Sequence, residues 1–288
     1  MPKLKKLTTD VYLSNPKIYK HKIAQLKKHG AAKLHLISDF DLTLTHEFIE
    51  GRKTNTSFGL VRESGLLGET FSQRLVDLYN HYRPIELDPN IPHEERNAKM
   101  IEWWSEAFEE MNRAGMCRDL VDQLLTKEKF DLRAGADELF SILQTHNIPT
   151  LIFSGGFGDL IQSLLIRKKV FSDNVHLLAN FLEFDSGGEM IGYKNPLIHS
   201  LNKASHLASH TEYNKKIANR TNLILLGDII DDAKMADQLI HDTALKIGFL
   251  NNKVEEKLED FIKTFDIIIM NDSSTDFINQ TISDIIQS

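Results

Sequence analysis

The stretch Leu34-His35-Leu36-Ile37-Ser38-Asp39-Phe40-Asp41-Leu42-Thr43-Leu44-Thr45 decides the reading of this chain. Its first four residues make a mostly apolar run of strand length, and two aspartates, two apart, leave its end. Carboxylates so placed can be aimed at one reacting atom. One can attack phosphorus as a nucleophile, and the other can carry the leaving group's proton. An isolated Asp-x-Asp after a strand reads better as a polar turn, so the pair takes its meaning from the rest of the chain.

Three further signals occur in order. Leu151-Ile152-Phe153 is a second apolar strand, ending in Ser154-Gly155-Gly156 just before a helical pattern. A hydroxyl and free backbone N–H groups at that point can hold phosphate oxygens. Next comes Ile198-His199-Ser200-Leu201-Asn202-Lys203, a lysine near the start of a helix. Last is Leu223-Ile224-Leu225-Leu226-Gly227-Asp228, a third apolar strand, followed by Asp231 and Asp232. Hard carboxylate oxygens of this kind suit Mg²⁺.

This ordered set resembles the haloacid-dehalogenase-type phosphotransferases: Asp-x-Asp-x-Thr, then Ser, then Lys, then Gly-Asp-x-x-x-Asp. The segments Pro84 to Pro89, Met100 to Trp104, His199 to Lys203, Leu225 to Asp237 and Leu245 to Asn251 are similar to those of the cytosolic 5′-nucleotidase III, or pyrimidine 5′-nucleotidase, family. The resemblance runs from about Leu34 to the C-terminus. It implies hydrolysis of nucleoside 5′-monophosphates to nucleoside and phosphate through an aspartyl-phosphate. Asp39 is then the nucleophile and Asp41 the acid and base. Lys203 neutralises charge on the phosphate and on Asp39, with Lys194 as a rival for that role. Ser154 and Gly155 hold phosphate oxygens. Asp39, Asp228 and the carbonyl of Asp41 bind Mg²⁺, and Asp232 orients Asp228 or a metal-bound water. Glu86 is implied as a nucleotide contact. Thr43 is read as making a hydrogen bond within its own loop.

The chain departs from the family at four places. Gly155 replaces a usual alanine. Asp231 stands where a small residue is usual. Glu47, with Phe48 adjacent, stands where an aromatic usually stacks on the base, and Ala107 stands where pyrimidine-preferring members carry a serine. Trp104 with Ala107 resembles the branch acting on 7-methylguanosine monophosphate. Pyrimidine and 7-methylguanosine nucleotides both remain open as substrates. Two other readings compete: a phosphatase for another small phosphomonoester on the same fold, and a non-catalytic nucleotide-binding protein.

Composition sets the outer bounds. The chain has 288 residues, 41% hydrophobic and 26% charged, as a soluble globular enzyme has. A net charge of −7 argues against nucleic acid as partner. Cys117 is the single cysteine, so no internal disulfide forms, in keeping with a reducing compartment. No signal peptide and no membrane span is read. The expectation is a cytoplasmic monomer.

The fold class follows from periodicity. Strands are expected at 33–39, 149–154, 222–228, 245–249 and 266–270. Helices are expected at 15–29, 135–146, 158–168, 231–240 and 274–286, and a hairpin of 175–184 with 189–194. Such alternation indicates an α/β, Rossmann-like parallel sheet with ligands at the carboxyl ends of its strands. From Glu50 to about Phe130 only helical periodicity is found. One helix carries Phe71 to Tyr82, a second Met100 to Met111 and a third Leu120 to Leu125, with Pro84, Pro89 and Pro92 punctuating the gap between the first two. The expected organisation is a core of residues 1–49 plus 126–288, with a helical cap of 50–125 inserted after the first motif. Trp103 and Trp104 are adjacent on the second of these helices and point about 100° apart, so both can pack within the cap, or one can be buried while the other faces the cleft.

Overall fold

A computed structural model describes residues 4–127 and 130–287. They build one eight-stranded sheet: β1 (Lys5–Lys6), β2 (Val11–Leu13), β3 (Leu34–Ser38), β4 (Thr150–Phe157), β5 (Val175–Asn180), β6 (Asn222–Gly227), β7 (Thr243–Leu250) and β8 (Ile267–Met270). The spatial order is β1-β2-β8-β7-β6-β3-β4-β5. From β8 to β5 every pairing is parallel. β1 and β2 add an antiparallel edge that the sequence did not announce. Every residue of β3 and β6 is buried. That is the pattern of central strands covered on both faces, where near-continuous apolar runs replace alternation.

Register fixes the site. Ser38 of β3 pairs with Leu226 of β6 and Ile152 of β4. Asp39 and Asp228, just beyond β3 and β6, and Ser154, two residues beyond the last paired residue of β4 toward β3, therefore lie at the same edge of the sheet.

Between β3 and β4 lie a two-stranded hairpin (Phe48–Ile49 with Arg52–Lys53) and the helices Ser57–Glu63, Glu69–Leu87, His93–Arg113 and Arg118–Lys127. The first of these helices and the hairpin were not read from the sequence. Pro84 does not end the helix containing Phe71, but lies inside its final turn. There its missing N–H removes one bond near a terminus and not in the middle of a ladder.

Two other expectations are corrected. Val175–Asn180 belongs to the main sheet, and the hairpin is the shorter Leu182–Phe184 with Met190–Tyr193. Asn180 divides them, since its amide donates to the carbonyls of Gly155 and Ile198 at 2.8 Å each and accepts from the N–H of Ile198 at 2.8 Å. Residues Ile230–Gln238 form a 3₁₀-helix, not an α-helix. The Asp232 carboxylate reaches back to the N–H groups of Asp228 and Ile229 at 3.2 Å each, which fixes the first turn by side-chain bonding.

β3 buries one ionisable side chain, His35. Tyr213 Oη donates to the carbonyl of Leu36 at 3.2 Å, so its oxygen accepts from His35 Nδ1–H at 3.1 Å. His35 Nε2 meets no polar partner, and protonating it would bury an unpaired N–H. Burial, with lesser contributions from His241 and Arg220, pulls the His35 pKa from 6.5 down to about 3. The unfolded chain therefore binds the extra proton first as pH falls. The stability tied to this group is complete above pH 6.5 and is lost progressively toward pH 3. The loss reaches roughly 2 kcal/mol by pH 5. Urea unfolding at pH 7 and pH 5 is expected to show a pH-dependent loss that is smaller by about that amount in His35→Phe. An equal pH dependence in both proteins would mean that another group controls it.

Candidate active site

The carboxyl edge of β3, β4 and β6 opens into a cavity of about 400 Å³, within the size range of small-ligand sites. Its floor carries Asp39, Asp41, Ser154, Gly155, Lys203 and Asp228. The opposite wall, from the helical insert, carries Phe58, Arg62, Tyr79, Glu86, Trp103 and Trp104.

Asp39 leaves β3 with its N–H donating to the carbonyl of Leu226 at 3.0 Å. The loop then turns through Leu42 at φ 63°, a left-handed conformation that a branched side chain adopts only under constraint. The constraint is visible. Leu42 N–H donates to Thr45 Oγ1 at 2.8 Å, and its carbonyl accepts from Arg133 at 2.7 Å and Asn251 at 2.8 Å.

Lys203 begins the helix Lys203–Ser209 and is buried. Its ammonium donates to Asp39 in a short contact and to Asp232 Oδ1 at 2.8 Å. Burial alone would depress this group, but Asp232 and Asp39 more than offset it and hold the lysine charged. Lys194 is exposed and lies over the Phe181 ring instead, so of the two lysines the fold brings Lys203 to the aspartates.

Asp39, Asp228 and Asp232 bring carboxylate oxygens within 4.8 Å of one another. Burial raises Asp228 well above the ordinary carboxylate range, and Asp39 and Asp232 add repulsion. Burial also raises Asp232, to about 6, against the pull of Lys203. Three carboxylates facing one ammonium leave an excess of negative charge, and their hard oxygen donors fit a divalent cation. The Asp41 carboxylate stands outside this cluster. Thr43 N–H donates to the carbonyl of Phe40 within its own loop at 3.3 Å, while its hydroxyl bonds across to Asp228 Oδ1 at 3.4 Å.

Asp41 is bound by a residue the sequence reading missed. Ser57 N–H donates to Asp41 Oδ1 at 2.7 Å, and Ser57 Oγ donates to Asp41 Oδ2 at 2.7 Å. Desolvation in the cleft raises Asp41 to about 7, against the lowering effect of those two bonds. Gly155 packs so closely that a Cβ there would sit 3.3 Å from His199 Cα. His199 itself is buried. Glu86 lines the cavity, accepting from Ser200 Oγ at 2.5 Å and from Arg83 in a short contact. Trp103 stacks on Tyr82 at 5.8 Å, and Trp104 meets Phe58 edge-on at 4.7 Å. Neither tryptophan is fully buried, and both line the cavity. Glu47 turns away from the cleft. It is buried, bonded to Asn252 and paired with Lys53 at 3.3 Å.

Two carboxylates on the loop after β3, a buried lysine and the Ser-Gly-Gly of β4 meet at one edge of the sheet, the arrangement of a phosphoric monoester hydrolase on the haloacid-dehalogenase fold. A HAD-family hydrolase from Salmonella enterica subsp. enterica serovar Typhi shares that fold, with a TM-score of 0.59 at 16% identity over 94% of this chain and 82% of its own. The chain belongs to the pyrimidine 5′-nucleotidase (UMPH-1) family, whose model matches residues 42–286. It is 36% identical over 280 residues to the 7-methylguanosine phosphate-specific 5′-nucleotidase of Gallus gallus, covering 97% of this chain and 96% of that one. Cytosolic 5′-nucleotidase IIIB, solved bound to cytidine, superposes with a TM-score of 0.88 at 32% identity, covering 98% of this chain and 95% of that one.

The second glycine after Ser154 is as constrained as the acids. A Cβ on Gly156 would lie 2.2 Å from Ser57 Oγ, 2.5 Å from Asp41 Oδ2 and 3.0 Å from Ser154 Oγ. Gly156→Ala is expected to displace all three and to lower kcat about 100-fold, with thermal stability little changed. Activity within a few-fold of wild type would show that the floor can relax around a methyl group.

Proposed function

We propose that this protein is a Mg²⁺-dependent 5′-nucleotidase that works through an aspartyl-phosphate and accepts 7-methylguanosine monophosphate at least as well as CMP or UMP. The observation that carries the chemistry is the meeting of Asp39, Asp41, Ser154 and Lys203 on one cavity floor, beneath a wall of aromatic side chains. Asp39 attacks phosphorus, forming a P–O bond while the P–O5′ bond breaks. The electron pair leaves with O5′, which takes the proton of Asp41. Water then attacks the phosphoryl group and gives its proton to Asp41. The bond to Asp39 breaks, the carboxylate is restored, and phosphate departs. Ser154 and the amide of Gly155 hold phosphate oxygens, and Lys203 balances charge on phosphate and nucleophile. Mg²⁺ fits the carboxylates of Asp39 and Asp228, the neighbouring Asp232 and the carbonyl of Asp41, and when bound it offsets repulsion between the attacking carboxylate and a dianionic phosphate.

Residues 50–125 act in this reading as a cap that selects substrate and excludes water, with Glu86 as a nucleotide contact. Phosphate release from protein stripped with EDTA is expected to be negligible and to return with Mg²⁺. Asp39→Asn is expected to lose at least about 1,000-fold in kcat, since an amide cannot attack phosphorus. Asp228→Ala is expected to need far more Mg²⁺ for half-maximal rate. Near-normal turnover in Asp39→Asn would end the covalent mechanism, and an unchanged metal requirement in Asp228→Ala would remove that ligand.

The base preference rests on Trp104 and the company it keeps. N7-methylation makes guanine cationic. An indole face attracts a cation by roughly 1–2 kcal/mol when water is excluded, about ten-fold or more in affinity. Relatives named for 7-methylguanosine phosphate at 36% identity support the same choice. Values of kcat/KM for 7-methyl-GMP, GMP, CMP and UMP are expected to favour the methylated over the unmethylated purine, and Trp104→Ala to erase that margin. Equal use of GMP and 7-methyl-GMP by wild type would return the assignment to a general pyrimidine-type nucleotidase.

A further inference from the structure

Asp41 has a partner that belongs to the helical insert and not to the sheet. Ser57 is fully buried at the first turn of the helix Ser57–Glu63. Its N–H and its hydroxyl each donate to a different oxygen of the Asp41 carboxylate, both at 2.7 Å. The same hydroxyl oxygen accepts from Phe157 N–H at 3.0 Å, at the end of β4. With donor and acceptor both engaged, the Ser57 hydroxyl has one orientation. A carboxylate offers about four acceptor sites. Ser57 occupies two, which fixes the carboxylate plane and leaves the remaining lone pairs to face the cavity.

The next residue along the chain gives this contact its direction. Phe58 lines the cavity and meets Trp104 edge-on at 4.7 Å. One short helix thus presents an aromatic ring to the base side of the cleft and a fixed hydroxyl to the acid. Thr56 secures its start by accepting from Gly59 N–H at 3.1 Å.

We propose that Ser57 is a positioning residue for Asp41. It holds the acid where its proton meets the departing sugar oxygen, and it lets the insert set the acid only when its first helix is docked on the floor. The inference rests on the reading of Asp41 as the acid, and it is tested so that the two can fail separately. A positioned acid matters when the leaving group is a poor one, such as the 5′-alkoxide of a nucleoside, and matters little for p-nitrophenolate, which leaves without a proton. Loss of a structural contact would slow both substrates alike.

The experiment compares CMP and 7-methyl-GMP with p-nitrophenyl phosphate in wild type, Ser57→Ala, Ser57→Gly and Asp41→Asn, at saturating Mg²⁺. Both Ser57 variants keep the backbone N–H bond to Asp41, and thermal unfolding of each separates a folding defect from loss of the hydroxyl. Both Ser57 variants are expected to lose about 10- to 100-fold in kcat on the nucleotides, a part of the full worth of an acid. Their KM should be little changed, and their pre-steady-state release of p-nitrophenol should be near wild type. If Asp41→Asn shows this leaving-group dependence and the Ser57 variants do not, the positioning role is wrong and the acid stands. If Asp41→Asn shows none, the acid assignment falls and this inference falls with it. Equal losses on both substrate types in the Ser57 variants would also overturn it.

Discussion

One buried guanidinium holds the loop on which the chemistry depends. Arg133 lies beneath the turn after Asp39 and is 1% exposed. It donates to the carbonyls of Leu42, Thr43, Thr45 and Ser273 at 2.7 to 3.1 Å, pairs with Asp272 at 2.9 Å, and stacks on Phe249 at 4.3 Å. A turn that bends between Asp39 and Thr45 points several carbonyls inward, where water cannot reach them. Arginine is suited to that task because its five N–H donors lie in one rigid plane. Asp272 in turn accepts from the N–H groups of Glu47 and Phe48 at 3.0 and 2.8 Å, carrying the same frame into the first hairpin of the insert.

The frame explains how two acids, two residues apart, reach different environments. Asp39 faces Lys203 and the Asp228–Asp232 pair, where negative charge is concentrated. Asp41 is turned by the left-handed Leu42 region toward Ser57 and away from that cluster. The first environment sets a carboxylate against the buried ammonium of Lys203. The second desolvates a carboxyl and raises its affinity for a proton. The difference between the two carboxylates is therefore a matter of which way each side chain leaves the same short loop.

Much of this was legible in the sequence, and the parts that were not share a cause. β3, β4 and β6 announced themselves because central parallel strands are apolar throughout, and each ended at a motif whose register then brought the motifs together. Lys203 could be placed from its segment, although Lys194 was a rival until the fold separated them by direction. Ser57 gave no signal, since a serine beside a threonine in a polar stretch reads as a helix start. Its role comes from contacts 16 and 100 positions away along the chain. Arg133 was equally silent, because one arginine in a loop predicts a solvated charge. Glu47 stands at the position where the family usually has a base-stacking aromatic, and its role could not be read from the sequence, because its side chain bonds to Asn252 far along the chain. Long-range polar contacts leave no periodicity behind, and these three residues act only through such contacts.

Charge balance on the insert's side of the cleft is the remaining constraint on what can bind there. Lys53, Arg62 and Arg83 all line the cavity, and a cationic base would be repelled by three free cations. Each is matched. Lys53 pairs with Glu47, Arg62 with Glu63 at 2.5 Å and Arg83 with Glu86. The fields of each cation and its carboxylate largely cancel at the cleft. Glu47, buried beneath Lys53, thus contributes to the cleft without entering it. The aromatic wall of Phe58, Trp103 and Trp104 then faces a nearly neutral surround, where the quadrupole of an indole ring is the main electrostatic feature a positively charged purine would meet. An uncharged pyrimidine would meet the same wall through stacking alone, so pairing of the three cations removes a repulsion that would otherwise act against a positively charged base.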